Sequence, residues 1–527
     1  TNIVNSLLTA TYDINLTDDL KMNVVVGNEI NHENNKFYSQ SGQNFNFGGW
    51  AHISNAKIKD ASESKFQDRT VGAFGNLLLS YKDMLYLNLT GRRDVVSSMP
   101  RGNRSFFYPS ASLGFVLTEL DALKQNDILS FAKLRASYAE VGQAGRYYDN
   151  YYTIPGYSGG FWTGSPIVYP IDGVTSYIPY SVQFDPNLKP QNTISYEIGA
   201  DLRFFDSRLG IDYTFSRQNV KDQIFAVPLA GSTGASDLLM NGGAIHTNAH
   251  ELILTANPIR QKDFDWNLSV NFTKMDNYVD ELADGVESIF LGGFVTPQVR
   301  AGKGDKFPVI YGTQFARDDQ GRILVDDEEF VNGKKNPYYG LPMPGEPGVI
   351  GKVAPDFLLG GSTTFRYKAA TLSATFDWKK GGQMYHGTNG LLSYTYGLAK
   401  STEDRTTPFT YPGFKSDGKA NDIVRGGESD HTAYYYYYAN TLGSIDEAFV
   451  FNNSFVKLRE LSLSYRLPKL DIFNITVSAF ARNLLLWTNL PNFDPEASQG
   501  NNNMGGAFER FTTPQATSMG MGLNIVF

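Results

Sequence analysis

His246 and His250 stand four residues apart. On a helix that spacing puts both imidazoles on one face, where they can hold a metal ion. On a strand they share a face but lie roughly 13 Å apart, at ~3.3 Å per residue. The intervening Thr247-Asn248-Ala249 reads as a strand entry, so no metal is expected there. The acidic run Asp326-Asp327-Glu328-Glu329, with Asp318-Asp319-Gln320-Gly321 upstream, offers oxygen ligands for Ca²⁺. Its spacing does not fit an EF-hand loop, and a solvated hairpin is the preferred reading. The sequence has no Gly-rich phosphate loop, no His-Glu-x-x-His and no nucleophile elbow. With Cys 0, disulfides, thiolate zinc sites and cysteine nucleophiles are excluded. We therefore expect no catalytic residue, no metal, no cofactor and no enzyme.

Aromatic clusters are the more informative chemistry. Tyr147, Tyr148, Tyr151, Tyr152 and Trp162 fall in one connection, and Tyr434, Tyr436 and Tyr438 in another. Flat apolar faces with polar tips suit stacking on sugar rings or gripping peptide side chains. An aromatic girdle at a membrane interface, or packing against a partner, uses the same residues.

The elements that carry these residues are constrained by composition. Across 527 residues there are 31 Tyr, 36 Phe and 51 Gly, and charged residues make up only 19%. No stretch reaches the ~18 consecutive apolar residues of a spanning helix. Lys and Arg number 46 against 54 Asp and Glu, a net charge of -8 without a basic cluster, so no nucleic-acid partner is expected. Few charges, many aromatics and many glycines are the composition of a transmembrane β-barrel.

Alternation tests that reading, because strand side chains point to opposite faces in turn. Ile194, Tyr196, Ile198, Ala200, Leu202 and Phe204 alternate with Ser195, Glu197, Gly199, Asp201 and Arg203. After a polar turn, Leu209, Ile211, Tyr213 and Phe215 alternate with Gly210, Asp212, Thr214 and Ser216, which makes a hairpin. Phe264 to Phe272, Phe473 to Ala479 and Met519 to Phe527 repeat the pattern. Such segments are as long as the ~9–11 residues needed to cross a bilayer obliquely. Short turns at 17–19, 82–83, 205–208, 261–263 and 468–471 alternate with long loops at about 33–67, 143–190, 223–243, 278–310, 381–448 and 488–512. One-sided loops of this kind mark outer-membrane barrels. No helix longer than two turns is predicted.

Several segments then match one family in order. Gly91-Arg92-Arg93-Asp94 with Ser97-Ser98, Ala132 to Tyr138 with Val141-Gly142-Gln143, and Asp185-Pro186-Asn187-Leu188-Lys189-Pro190 are three of them. Ser454 to Tyr465 with Leu467-Pro468, Arg482-Asn483-Leu484-Leu485, and Asp494-Pro495-Glu496 are three more. Together they resemble the SusC-like TonB-dependent transporters (the SusC/RagA family) of the Gram-negative outer membrane. The resemblance implies an all-β, antiparallel transmembrane barrel of ~22 strands. Of these, 1–527 would supply about 15–16 strands as the carboxy-terminal part of a single barrel domain, with the plug absent from this chain. It also implies import of oligosaccharides or oligopeptides, a SusD-like surface lipoprotein as partner, and TonB engaged through a plug or TonB box outside this chain.

The polar strand positions are then expected to line a wet lumen: Glu197, Asp201, Arg203, Asp212, Asp265, Asn267, Asn271, Glu460 and Arg466. General hydration of that lumen competes with substrate contact at each. Two alternatives are a passive porin of about sixteen strands and a soluble surface glycan-binding β-protein, whose apolar rows would meet in a dry interior.

Overall fold

The computed structural model describes residues 1–124, 126–148, 172–174, 180–392, 407–468, 473–491, 493–499 and 505–526. The backbone alone is described for 152–153, 157–160, 166–168, 178–179 and 393–395. Two compact units are present. One comprises Thr1–Lys124, Lys133–Ile198 and Gln218–Ile245; the other comprises Gln125–Ala132, Gly199–Arg217 and His246–Phe527.

Fifteen long strands line up in chain order in one sheet. They are β1 (Asn2–Asn15), β2 (Leu20–Phe45), β3 (Ala56–Tyr81), β4 (Leu85–Val96), β5 (Ser105–Val116), β6 (Leu129–Gln143), β7 (Gln191–Phe204) and β8 (Leu209–Lys221). They continue as β9 (Gly243–Arg260), β10 (Phe264–Leu282), β11 (Phe357–Tyr367), β12 (Ala370–Lys380), β13 (Phe455–Arg466), β14 (Asn474–Thr488) and β15 (Ser518–Val526). Pairing is antiparallel from β1 to β6 and from β10 to β15. Among the described residues β1 is paired on its β2 side and β15 on its β14 side only.

Short turns and long connections alternate along the chain. The β3–β4 turn puts Lys82 and Asp83 at positive φ (54° and 51°), the left-handed pair that matches hairpin twist. Of the predicted turn 468–471, residues 469–471 lie outside the described residues.

Two predicted loops are corrected. Residues 33–67 are mostly strand: β2 and β3 stay in register from Leu20↔Tyr81 to Phe45↔Ala56, leaving only 46–55 as the turn. Polar residues on both faces of this ribbon hid the strands from an alternation test. The predicted loop 278–310 extends to 356, because Ser288–Gly293, Gln298–Gly302, Val309–Phe315 and Pro344–Lys352 form their own four-stranded sheet there. The helix α1 (Gly387–Thr395) and a helical run over 433–444 both exceed the predicted two-turn limit.

Apolar side chains are distributed opposite to those of a water-soluble protein. The alternating apolar rows of the sheet are exposed: Leu8 is 75% exposed, Phe107 61%, Ile198 58%, Leu463 53% and Met521 89%. Within the first unit one row runs Tyr12, Val24, Leu77, Leu89, Ala111, Tyr138 across six strands. Within the second another runs Trp266, Phe365, Leu372, Leu463, Ala479, Met521. Leaving one such side chain in water forfeits about 1.5–3 kcal/mol, so rows of this length require hydrocarbon as solvent. The soluble glycan-binding alternative is overturned, because the rows do not meet in a dry interior.

Dry cores occur in the connections instead. Val299, Ile310, Ile350, Val353, Ala507 and Phe508 form one, and Val96, Met99 and Leu188 another. Glycine completes the sheet at close approaches: a Cβ on Gly361 would sit 2.5 Å from the Phe376 ring directly across the β11–β12 pair.

Leu89→Arg, in the middle of an exposed row, should cost about 2–4 kcal/mol in denaturant unfolding from lipid vesicles. Ser112→Arg, on the polar face of the neighbouring strand, should stay within about 1 kcal/mol. Equal costs would refute the assignment of the two faces.

Candidate functional site

The other face of each strand is polar. In the first unit Arg92 of β4 pairs with Glu29 of β2 and with its own neighbour Asp94, both at 2.9 Å. Lower on that face a cleft of about 440 Å³ is lined by Tyr86, Asn88, Ser112, Lys133, Arg135 and Glu197, so Glu197 faces two basic residues.

In the second unit Asp201 and Arg203 pair at 3.1 Å, and Arg203 lies over the Phe131 ring. Asp212 is half-buried on β8. Asn257 donates to Asn267 (2.7 Å) and to Asp265 (3.3 Å), which joins those two predicted positions to β9. Asn271 fills the space over Gly360. Glu460 accepts from Arg482 at 3.0 Å across β13–β14, whereas Arg466 is exposed at the end of β13. The structure thus brings Asp265 and Asn267 together, and pairs Asp201 with Arg203. It does not gather the nine positions into one cluster.

The aromatic positions pack largely on one another. Tyr147 and Tyr148 meet Phe184 edge-on, at 6.1 and 5.4 Å. Tyr151 and Trp162 lie outside the described residues, and of Tyr152 only the backbone is described. Tyr434, Tyr436 and Tyr438 sit on a helical run over 433–444. Tyr434 stacks with Tyr438 one turn on (6.3 Å) and packs on Phe409 (4.9 Å), while Tyr436 meets Tyr338 edge-on. Tyr437, between Phe409 and Tyr411, has its phenol pushed up by burial. Tyr435, exposed at 60%, meets Tyr436 edge-on at 5.6 Å.

Acidic residues of the 318–329 segment serve the loop itself. Asp318 accepts from Arg322 (2.7 Å), which holds its carboxyl below the usual range, and Asp327 accepts from Ser416. Among the described residues no three acids or histidines gather around one point. His246 instead meets Asp280 at 2.7 Å and His250 meets Tyr213 at 2.8 Å.

The densest polar constellation was not singled out as a site from sequence. At β13 the pairing slips by one residue, with Leu458 opposite Phe376 and Glu460 opposite Thr375, so Arg459 is the extra residue of a bulge. Leu458 faces out before it and Leu461 after it, and Lys457, Arg459 and Glu460 remain on the polar face. Lys457, 2% exposed, donates to Glu496 (2.8 Å) and Gln515 (3.0 Å). Arg459 donates to Asp377 (2.6 Å) and grips both oxygens of Glu496. Asp494 caps the backbone N–H of Glu496 and of Gln515 at 3.0 Å. Burial pushes the Glu496 carboxyl up, but hydrogen bonds from Arg459 and Lys457 outweigh it and hold it below its ordinary 4.5.

Beside this anchor opens a cleft of about 470 Å³ whose lining includes His386, Phe493, Asp494, Glu509 and Phe511. His386 and Glu509, 4% and 2% exposed, meet at 3.2 Å, and the imidazole stacks on Phe493 at 3.9 Å. Glu509 also accepts from Thr388 Oγ1 (2.7 Å) and the Thr512 N–H (3.2 Å). Burial, opposed by Glu509, pulls the His386 pKa below its usual 6.5, so the ring is neutral. The i, i+2 spacing in Lys457/Arg459 and in Asp494/Glu496 was the available signal, since it puts each pair on one side of an extended chain.

The TonB dependent receptor-like β-barrel family matches residues 2–484. The chain belongs to this family. As a TonB-dependent receptor β-barrel it resides in the outer membrane, and its exposed apolar rows face lipid. TonB-dependent receptor P3 of Formosa agariphila is 25% identical over 485 residues, 87% of this chain and 45% of that protein. TonB-dependent receptor SusC of Bacteroides thetaiotaomicron is 24% identical over 493 residues, 90% of this chain and 45% of that protein. Among solved structures, the RagAB peptide importer in its closed-closed state superposes with a TM-score of 0.77. It has 19% identity and covers 99% of this chain and 55% of that one, which shows a shared fold. The chain spans about half the length of these relatives.

Glu496→Gln should leave Lys457 and Arg459 without their shared anion and loosen residues 489–517 by roughly 3 kcal/mol. Faster amide exchange confined to that connection and to 383–388 is the expected readout, and unchanged exchange would refute the anchor. Acid should act in two windows. His386 is neutral when folded, so the unfolded state binds more protons just below pH 6.5 and stability falls there. Glu496, with its folded pKa depressed, adds stability that is lost as pH drops from 4.5 through its lowered value. His386→Gln should abolish the upper window alone, in exchange measured against pH.

Proposed function

We propose that the whole protein imports oligosaccharides or oligopeptides across the outer membrane, driven by TonB and assisted by a SusD-like surface lipoprotein. The observation that carries this reading is the two-faced sheet, with apolar rows on one side and polar residues on the other within each unit, in a TonB-dependent receptor barrel. On that polar face Glu197, Asp201, Arg203, Asp212, Asp265, Asn267, Asn271, Glu460 and Arg466 provide weak, repeated contacts to a hydrated solute. Weak multi-site binding lets a solute enter and leave. The cleft between Phe493, Phe511 and Gln515 adds aromatic faces and an amide, groups that bind pyranose rings and peptide bonds alike. That one neighbour is titled a peptide importer supports the oligopeptide class.

Deleting the full-length gene should abolish growth on one member of a panel of oligosaccharides and oligopeptides, and TonB depletion should do the same. Uptake that survives TonB depletion, together with steady ion conductance of the purified protein in planar bilayers, would favour the passive porin and overturn this reading.

A further inference from the structure

β4 pairs with β3 only as far as Thr70. Beyond that point residues 35–45 and 56–69 continue as a two-stranded ribbon, roughly 35 Å long at ~3.3 Å per residue. Alternation carries the lipid-facing row straight up one side of it. That row passes Val26, Ile30 and Val71, then the His32–Arg69 contact (3.2 Å), then the directly opposed pair Lys36↔Lys65, and ends near Lys59.

Charge is sorted between the two faces. The outward face holds Lys36, Lys57, Lys59, Lys65 and Arg69 against the single acid Glu63, and all of these are exposed. The opposite face holds Glu33, Asp60 and Asp68 with no basic residue, and there Phe66 lies against Arg146 of the following connection. Opposed like charges destabilise a strand pair, and this pair follows His32↔Arg69 and Asn34↔Gln67 beyond the apolar Ile30↔Val71 pair on the same face.

We propose that this outward face seats the phosphorylated headgroup of the outer-leaflet glycolipid, lipopolysaccharide. Two features select that occupant: the face continues the lipid-contacting row beyond the hydrocarbon, and its charge is complementary to phosphate. Lys36 and Lys65 then share an anion between them, and Tyr38, 63% exposed, packs on the sugar beside it. The proposal rests on the outer-membrane placement and not on the identity of the imported solute.

The test is titration of the full-length protein in detergent with purified lipopolysaccharide, read by thermophoresis. A cation near an anionic membrane surface contributes about fivefold. Combining Lys36→Glu, Lys59→Glu and Lys65→Glu should therefore weaken binding at least about a hundredfold. Glu33→Gln with Asp60→Asn, on the opposite face, should change nothing. Phosphatase-treated lipopolysaccharide should bind as weakly as the triple variant does, and millimolar inorganic phosphate should not compete. Wild-type affinity in the triple variant, or for the dephosphorylated glycolipid, overturns the proposal, as does full competition by free phosphate. If the charge-reversed protein lacks the heat-dependent band shift of an inserted barrel, the triple Lys→Gln variant decides by the same criteria. Absence of uptake by the wild-type protein, with its glycolipid affinity intact, would count against the import reading alone.

Discussion

Hydrocarbon offers no hydrogen bonds, and that constraint organises everything else in the molecule. A chain entering it must pair every backbone N–H and C=O with itself and present apolar side chains outward. Long antiparallel strands running neighbour to neighbour in chain order are the simplest solution, and the sheet here follows it without a crossover. Among the described residues the two dry clusters take only Val96 from the strands of this sheet. The buried clusters sit in the connections, where water is the solvent and ordinary packing rules return.

Those connections have to be held in place by something other than strand pairing. The segment 489–517 is fastened to the polar face by charge: Lys457 and Arg459 reach from the sheet, and Asp494 and Glu496 reach back. Ion pairs with several shared hydrogen bonds tolerate partial burial, whereas single buried charges do not. The His386–Glu509 contact on Phe493 extends the same fastening to the strand Gln383–His386, so two connections distant in sequence meet over one cleft. Extra loop length costs little conformational entropy once the ends are fixed, which is why such segments can grow without disturbing the strands.

Legibility in the sequence followed the solvent. Where one face met lipid, as in Ile194 to Phe204, strict alternation located the strand, its turn and its polar positions. Where both faces met water, as in residues 35–45, the period carried no hydrophobic contrast and strands read as loop. Residues 283–356 fold as a small soluble sheet whose short strands give no long pattern. At the site, periodicity placed Asp265 and Asn267 on one face, and the structure joins them through Asn257. The Lys457–Glu496 contact spans 39 residues of chain, so local pattern alone did not disclose it. The tyrosines of 434–438 read as contacts for a ligand or a partner, and a helical backbone packs them largely on each other and on Phe409.

The slip at Arg459 carries a further consequence for how such a chain can change over time. One added residue exchanges inside for outside along the rest of a strand, unless a bulge absorbs it locally. In β13 the bulge does so, and Leu458 and Leu461 both remain toward lipid although three positions separate them. Removing Arg459 alone would send Lys457 or Glu460 into oil. Single-codon insertions and deletions are thereby barred from most of the wall, and evolution is left to vary the length of the protein almost entirely in the segments that join one strand to the next.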